Sequence, residues 1–341
     1  MNSCSSDQSI ASAPGRALRL FPALALLVLA ILACSGGGCA KHPALSPESI
    51  TEITEEYRIP VVAVVPKCTE MAFWKSVRTG AEAAGKKMGV DVAWKGPASE
   101  QDVEEQKRIL QEFIDRKVNA IVFAACDSEA LVESARSAKR AGIVVVMIDS
   151  GIRDETVPVS FVATDNVEAG RQAGYKLAQL VGGRGTVGMI PVIKGVNSSD
   201  DREKGFIEAI SRYQGMKAGP VIYSEGAIDK GREAAEEMLA RCPDLTGIFA
   251  ANEFGGVGAA EAIRKKGCTG RVKLVAFDSS DAEVDALKAG IIQALVIQDP
   301  VKIGFEGVTA AVDAMNGKTV NRNITTGVKI ITTEEINQPL P

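Results

Sequence analysis

The sequence is nearly without histidine: one in 341 residues, His42, in a Pro-rich stretch. That excludes a serine–histidine triad and most histidine-ligated metal sites. There is no P-loop, no Cys/His cluster at metal-ligand spacing and no Gly-x-Ser-x-Gly elbow. A basic block is also lacking. Lys and Arg number 39 against 43 Asp and Glu, a net charge of −4 spread along the chain, so a nucleic-acid partner is not expected. Aromatics are only 5% of residues, which gives weight to the few that fall in loops. No apolar run is long: Leu20–Ala33 is broken by Pro22 and falls short of the ~20 residues a spanning helix needs.

What is present is a globular balance, 46% hydrophobic and 24% charged. At ~100–200 residues per domain, the length suits two domains. Arg16 and Arg19 before the short apolar run read as a secretory signal. The run ends at Ile31-Leu32-Ala33-Cys34, which looks like a bacterial lipobox with Cys34 as the lipidated residue; Cys39 is an alternative. We therefore expect a signal peptide over 1–33, then a lipidated Cys34 and a tether over 34–58. The protein is then exported to the cell envelope or periplasm and held at the membrane through Cys34.

Export places the cysteines in an oxidising compartment. Of the seven, setting aside Cys4 and Cys34 leaves Cys39, Cys68, Cys126, Cys242 and Cys268. Cys68 and Cys126 follow neighbouring strands of a first sheet, and Cys242 and Cys268 precede neighbouring strands of a second. Either pair suits a disulfide. Cys242–Cys268 is favoured, because Cys68 lies beside the expected pocket.

From Ile59 onward, short β-branched runs alternate with amphipathic helices. Strands are expected at Val61–Val65, Val90–Trp94, Ala120–Ala124 and Ile143–Ile148, with helices between, among them 100–116 and 128–141. After Asp165 the pattern restarts. Helices over 166–181, 200–213, 229–241, 255–266 and 281–288 alternate with strands at Thr186–Ile190, Pro220–Tyr223, Gly247–Ala251, Val272–Phe277 and Ile292–Ile297. A helix over 301–316 and one strand at about Ile324–Thr332 close the chain. Continuous apolar strands alternating with helices imply parallel sheets covered on both faces. So many units exceed one open sheet, and two doubly wound α/β sheets fit better.

Ligands of such sheets bind at the carboxyl ends of the strands. Lys67, Glu70, Phe73 and Trp74 follow the first strand, and Asp149 follows the fourth. Beyond the restart come Arg202, then Asn252, Asp278 and Gln298 at successive strand ends. Acceptors, donors and flat apolar rings in both halves suit a polyhydroxylated small molecule, whose hydroxyls both donate and accept. Most of these residues also have a plainer reading, Gln298 excepted. Trp74 fits the core stripe of its helix, Asp149 suits a turn, and Asn252 suits a helix cap. Arg202 has Asp200 and Asp201 as surface partners, and Lys67 and Glu70 suit a solvated rim.

These residues resemble the bacterial periplasmic sugar-binding proteins of ABC importers, in the ribose/galactose-type branch, over about 59–335. The resemblance rests on Phe73-Trp74, Ile148-Asp149, Thr164-Asp165-Asn166 and Arg202-x-x-Gly205-Phe206. It continues through Phe249-Ala-Ala-Asn252-Glu253, Ala276-Phe277-Asp278 and Gln298-Asp299-Pro300. It implies the type I fold of that family: two doubly wound lobes, 59–164 with 299–325 and 165–298 with 326–337, joined by a hinge of three crossings. It implies that Phe73 and Trp74 pack on a sugar ring, that Asp149, Asp278, Asn252 and Gln298 bond its hydroxyls, and that Arg202 donates a forked pair. The protein would then be a monomer without catalysis, cofactor or metal, whose lobes close on the ligand and present it to a permease.

The chain departs from ribose binders at Ser150, where they carry Arg, at Met71, where they carry Asn, and at Gly226-Ala227, where they carry an aromatic. Ribose itself is therefore not the expected ligand, and a larger, acidic or amino sugar, a polyol or a non-sugar ligand is left open. A sensory sugar-binding module serving a membrane receptor is the alternative that the residues leave open. A nucleotide-dependent oxidoreductase is disfavoured. Gly183-Arg-Gly185-Thr-Val-Gly188 precedes a strand instead of following one, and after Gly256-Val-Gly258 the third glycine position is Glu261.

Overall fold

The computed structural model describes residues 59–336. The expected signal peptide 1–33, lipidation at Cys34 and tether through 58 lie outside the described residues, as do 337–341. In chain order the first part runs β1 (Val61–Val65), α1 (Ala72–Met88), β2 (Asp91–Trp94), α2 (Val103–Asp115), β3 (Ala120–Phe123), α3 (Val132–Arg140), β4 (Val144–Ile148) and β5 (Ser160–Ala163). The second runs α4 (Asn166–Leu180), β6 (Arg184–Ile190), α5 (Asn197–Ile210), β7 (Gly215–Val221), α6 (Ile228–Arg241), β8 (Leu245–Ala250), α7 (Glu253–Lys265), β9 (Lys273–Phe277), α8 (Asp281–Lys288) and β10 (Ala294–Ile297). The chain ends with α9 (Pro300–Met315), β11 (Asn323–Thr325), β12 (Lys329–Thr332) and α10 (Thr333–Ile336).

The strands form two six-stranded sheets, ordered β11-β5-β4-β3-β1-β2 and β12-β10-β9-β8-β6-β7. All neighbours are parallel except β12, which runs antiparallel to β10. Helices cover both faces of both sheets, which is why the strands read as continuous apolar runs. On the first sheet, one face packs Trp74, Val77 and Ala81 of α1 with Ile303, Val308 and Val312 of α9. The other packs Ile109, Leu110 and Phe113 of α2 with Ala135 and Ala138 of α3. On the second, Met238 of α6, Ile263 of α7 and Leu287 of α8 cover one face, and Leu177 of α4 with Phe206 and Ile210 of α5 cover the other. Each buried Val, Leu, Ile, Phe or Met among them contributes roughly 1.5–3 kcal/mol.

The structure corrects the sequence reading at several elements. β5 was not expected: Ser160–Ala163 is short and follows a loop, but its edge is completed by β11. The single strand expected at Ile324–Thr332 is two strands in different sheets. The break falls at Thr326-Gly327-Val328, where Gly327 takes φ 81°, a left-handed turn that glycine adopts without strain. β7 begins at Gly215 instead of 220, because backbone pairing with β6 holds a segment with little apolar character. α3 starts at Val132 and not 128, since Asp127 accepts bonds from the amides of Glu129 and Ala130 and makes a turn there. α5 starts three residues earlier than the expected 200, at Asn197.

The structure holds Cys242 and Cys268, the favoured pair, as free thiols. Cys268 Sγ instead accepts from Arg271 Nη2 at 2.7 Å and donates to the Lys266 carbonyl at 3.5 Å.

Candidate functional site

The site begins with two aspartates at strand ends. Asp149 follows β4 with φ 56°, and Asp278 follows β9 with φ 84°. Left-handed backbone costs an L-residue roughly 1–2 kcal/mol, and Asp is among the few that tolerate it. Each amide bonds the carbonyl of the adjoining strand, Asp149 to Val162 at 3.0 Å and Asp278 to Val296 at 2.9 Å. Both side chains are buried.

Asp149 meets Lys67, which was expected at a solvated rim and is instead 5% exposed. Lys67 Nζ lies 3.1 Å from Asp149 Oδ2 and 3.8 Å from Glu100 Oε1. It also donates to Ser150 Oγ at 3.2 Å and to Ser198 Oγ at 3.4 Å. Burial by itself disfavours the ammonium, but Asp149 and Glu100 outweigh it and hold the Lys67 pKa above its ordinary value. Ser150 Oγ reaches Asp149 Oδ2 at 2.8 Å and Ser198 Oγ at 2.7 Å, so this group ties the first sheet to α5 of the second.

Trp74 Nε1 donates to Glu100 Oε1 at 3.2 Å, while its ring stands edge-on to Phe73 with centroids 4.9 Å apart. Both readings of Trp74 hold together, since it is a core residue of α1 whose polar edge faces the charged group.

Arg202 sits in α5 and is 4% exposed. Its Nε donates to Asn166 Oδ1 at 2.8 Å and its Nη1 to the Ala251 carbonyl at 2.7 Å, and the guanidinium stacks 3.6 Å from the Phe277 ring centroid. The surface partners Asp200 and Asp201 do not hold it. Burial lowers its pKa, opposed by Asp278, Asp149 and Glu100. Its backbone position is set by glycines. A methyl group on Gly170 of α4 would run into the Arg202 carbonyl, and one on Gly205 into that of Val167, so the two helices cross in backbone contact.

Asn252 caps α7 through Oδ1, which accepts from Gly255 N at 2.9 Å, leaving Nδ2 buried without a partner. Gln298 bridges Asp278 Oδ1, at 2.8 Å, and Thr164 Oγ1, at 2.9 Å. Glu253, not singled out in the sequence, accepts the amides of Ala72 and Phe73 at 3.5 and 3.4 Å, reaching from α7 to the start of α1. Burial, then Asp278, raises its pKa, and burial raises that of Asp278 despite Arg202. Phe73, Glu253, Asp278 and Gln298 line a cavity of about 50 Å³.

The strand-end residues Lys67, Phe73, Trp74, Asp149, Arg202, Asn252, Asp278 and Gln298 are thus all buried at the carboxyl ends of the two sheets. Glu70 is not among them; it is exposed and accepts only the Thr69 hydroxyl, at 3.4 Å. Sequence reasoning passed over Glu100, Ser198 and Glu253. The signal that it had was that Glu100 and Glu253 follow β2 and β8 within a few residues. A larger cavity of about 360 Å³, lined by Met147, Gly151, Phe161, Asn197 and Arg322 among others, shares no residue with the Lys67–Arg202 group. Among the described residues, no three His, Cys, Asp or Glu side chains are placed to hold a metal ion.

The periplasmic binding protein domain matches residues 62–319. A D-ribose/D-allose-binding protein of Pseudomonas aeruginosa is 32% identical over 267 residues, 76% of this chain and 83% of its own length. An ABC transporter solute-binding protein from Agrobacterium vitis, solved with bound alpha-D-tagatopyranose, superposes with a TM-score of 0.80 at 31% identity, covering 82% of this chain and 97% of that one. A carbohydrate transporter solute-binding protein from Agrobacterium radiobacter, in complex with D-arabinose, gives a TM-score of 0.80 at 30% identity, covering 83% and 97%.

Proposed function

Because the chain belongs to the periplasmic binding protein domain family, we propose that the buried polar group between its two sheets is a sugar site. The protein is a solute-binding component of an ABC importer and not an enzyme; its partners are a sugar and a membrane permease, and it works in the periplasm. The ligand is a small sugar or polyol other than ribose. Asp149, Asp278, Asn252 and Gln298 bond its hydroxyls, Arg202 and Lys67 donate to it, and Phe73 and Trp74 cover its C–H face.

The observation that carries this reading is the buried Lys67–Asp149 ion pair at the end of the first sheet together with, at the end of the second, the buried Asp278–Gln298 pair and Arg202 stacked on Phe277. Charged donors and acceptors held out of water make strong, directional bonds to hydroxyls. The lobes are 59–164 with 299–325 and 165–298 with 326–337, and they close by hinge motion about the three crossings. The mature protein is a monomer anchored through lipidated Cys34.

A thermal-shift screen of pentoses, hexoses, polyols and amino sugars tests the site. A ligand at 100-fold its Kd adds ~2.7 kcal/mol of stability, and a hexopyranose is expected to raise Tm more than D-ribose. Asp149→Ala and Arg202→Ala should remain folded and lose the shift. No shift from any compound overturns the sugar assignment.

A further inference from the structure

Two thiols beside the site have no part in the sugar reading. β1 and β3 pair with Val62 opposite Ala120 and Val65 opposite Phe123. The same offset, carried just past the ends of the strands, sets Cys68 opposite Cys126. Cys68 packs on the face of the sheet that Val64 and Val122 share, and alternation along the strand assigns Cys126 to the same face. The two segments stay together beyond the ladder: Cys126 Sγ donates to the carbonyl of Lys67, the peptide group leading into Cys68, at 3.4 Å. Paired strands lie roughly 4.7–4.9 Å apart, within the ~4.4–6.8 Å range of Cα separations that a disulfide spans; past Val65 and Ala124 the two segments are joined through Gln106, whose Nε2 donates to the Pro66 and Ala124 carbonyls and whose Oε1 accepts from Cys126 N. Both side chains are buried, at 2% and 1% exposure.

We propose that Cys68 and Cys126 are joined by a disulfide in the exported protein, clamping the loop that carries Lys67 to the end of β3. The structure holds the dithiol form. Oxidation breaks two S–H bonds and forms one S–S bond; two protons and two electrons pass to a disulfide-bearing oxidant, which becomes a dithiol. Burial raises the Cys68 thiol to about 12 and the Cys126 thiol above its ordinary range. The thiolate is the attacking species, so the bond forms while the chain folds and is slow to exchange afterwards.

The test uses the full chain, exported by a bacterial host and purified without reductant. It is denatured, alkylated with N-ethylmaleimide, digested and mapped by mass spectrometry. The expected result is a linked Cys68–Cys126 peptide, with alkylation of both only after dithiothreitol. Dithiothreitol should also lower the Tm of the parent and leave that of Cys68→Ala/Cys126→Ala unchanged. Alkylation of both thiols without reductant overturns the proposal, as does an equal loss of Tm in both proteins. The mapping needs export but no sugar, so its failure is distinct from failure of the sugar assignment, and it is read on the parent even if the double variant does not fold.

Discussion

Asp149 and Asp278 occupy corresponding points in the two sheets: each follows a central strand, each takes a left-handed backbone, and each bonds its amide to the next strand's carbonyl. The backbone strain and the side-chain role separate on substitution. Asp278→Asn keeps a residue that tolerates positive φ. It should lower the urea midpoint less than a residue that does not tolerate it, and reduce sugar affinity by the ~1.5–3 kcal/mol of a charged hydrogen bond. Asp278→Val should lower the midpoint further. Equal midpoints for the two variants would show that the backbone at 278 is unstrained.

Lys67 holds Asp149 and Glu100 together out of water. Lys67→Met leaves two buried carboxylates without a cation, a loss of roughly 3–5 kcal/mol. Adding Glu100→Gln should recover part of that loss in urea denaturation. Strict additivity of the two changes would refute the coupling.

Gly170 and Gly205 let α4 and α5 touch where Arg202 is anchored. Gly170→Ala should cost ~1–3 kcal/mol through overpacking and displace the guanidinium. The reading is a lower urea midpoint together with a weaker sugar-induced Tm shift. If both equal the parent's, the helices yield without moving Arg202.

Glu253 carries a carboxylate to the amides at the start of α1, across the two sheets. A carboxylate at a helix N-terminus is worth roughly 0.3–1 kcal/mol. Glu253→Ala should therefore favour the open form and increase the radius of gyration of the sugar-free protein in small-angle scattering. An unchanged radius would mean that Glu253 does not hold the lobes together.

Glu283 is fully buried in the capping box of α8, beside Asp278 and Glu253, and one of its oxygens has no partner. Burial, then Asp278, raises its pKa well above the ordinary value. The folded state therefore binds a proton that the unfolded chain releases above about pH 4.3. Its contribution is complete below that pH and is lost as pH rises through the folded pKa. Glu283→Gln retains an acceptor for Ser280 and should be more stable than the parent at neutral pH, with a flatter fall in urea midpoint between pH 5 and 7.5. A parallel fall in both proteins would contradict this.

Much of the fold was legible because buried parallel strands leave continuous apolar runs such as Val61–Val65 and Val144–Ile148. Strands at or next to the sheet edges were the weak point. β5, β7 and β11 owe their form to backbone pairing with neighbours, which no local pattern records. In the site, Asp149, Asp278 and Gln298 were readable from position alone, at strand ends. Lys67 was not, because a buried lysine makes sense only when Asp149 and Glu100, from two other loops, arrive beside it. Glu253 was hidden by its neighbour Asn252, whose capping role accounts for the start of α7 but not for a carboxylate directed at α1.

The place of α9 in the chain sets an order of assembly. It covers the face of the first sheet that α1 also covers, yet it is made only after the whole of the second sheet's β6–β10. β11 and β12, the last strands, then complete one edge of each sheet. A chain emerging from its amino end thus exposes an unfinished apolar surface on the first sheet until residues beyond 300 appear. Cutting it after β5 or after β10 yields no self-sufficient half. The face of the first sheet that α1 covers is therefore completed only once residues 300–315 have been made.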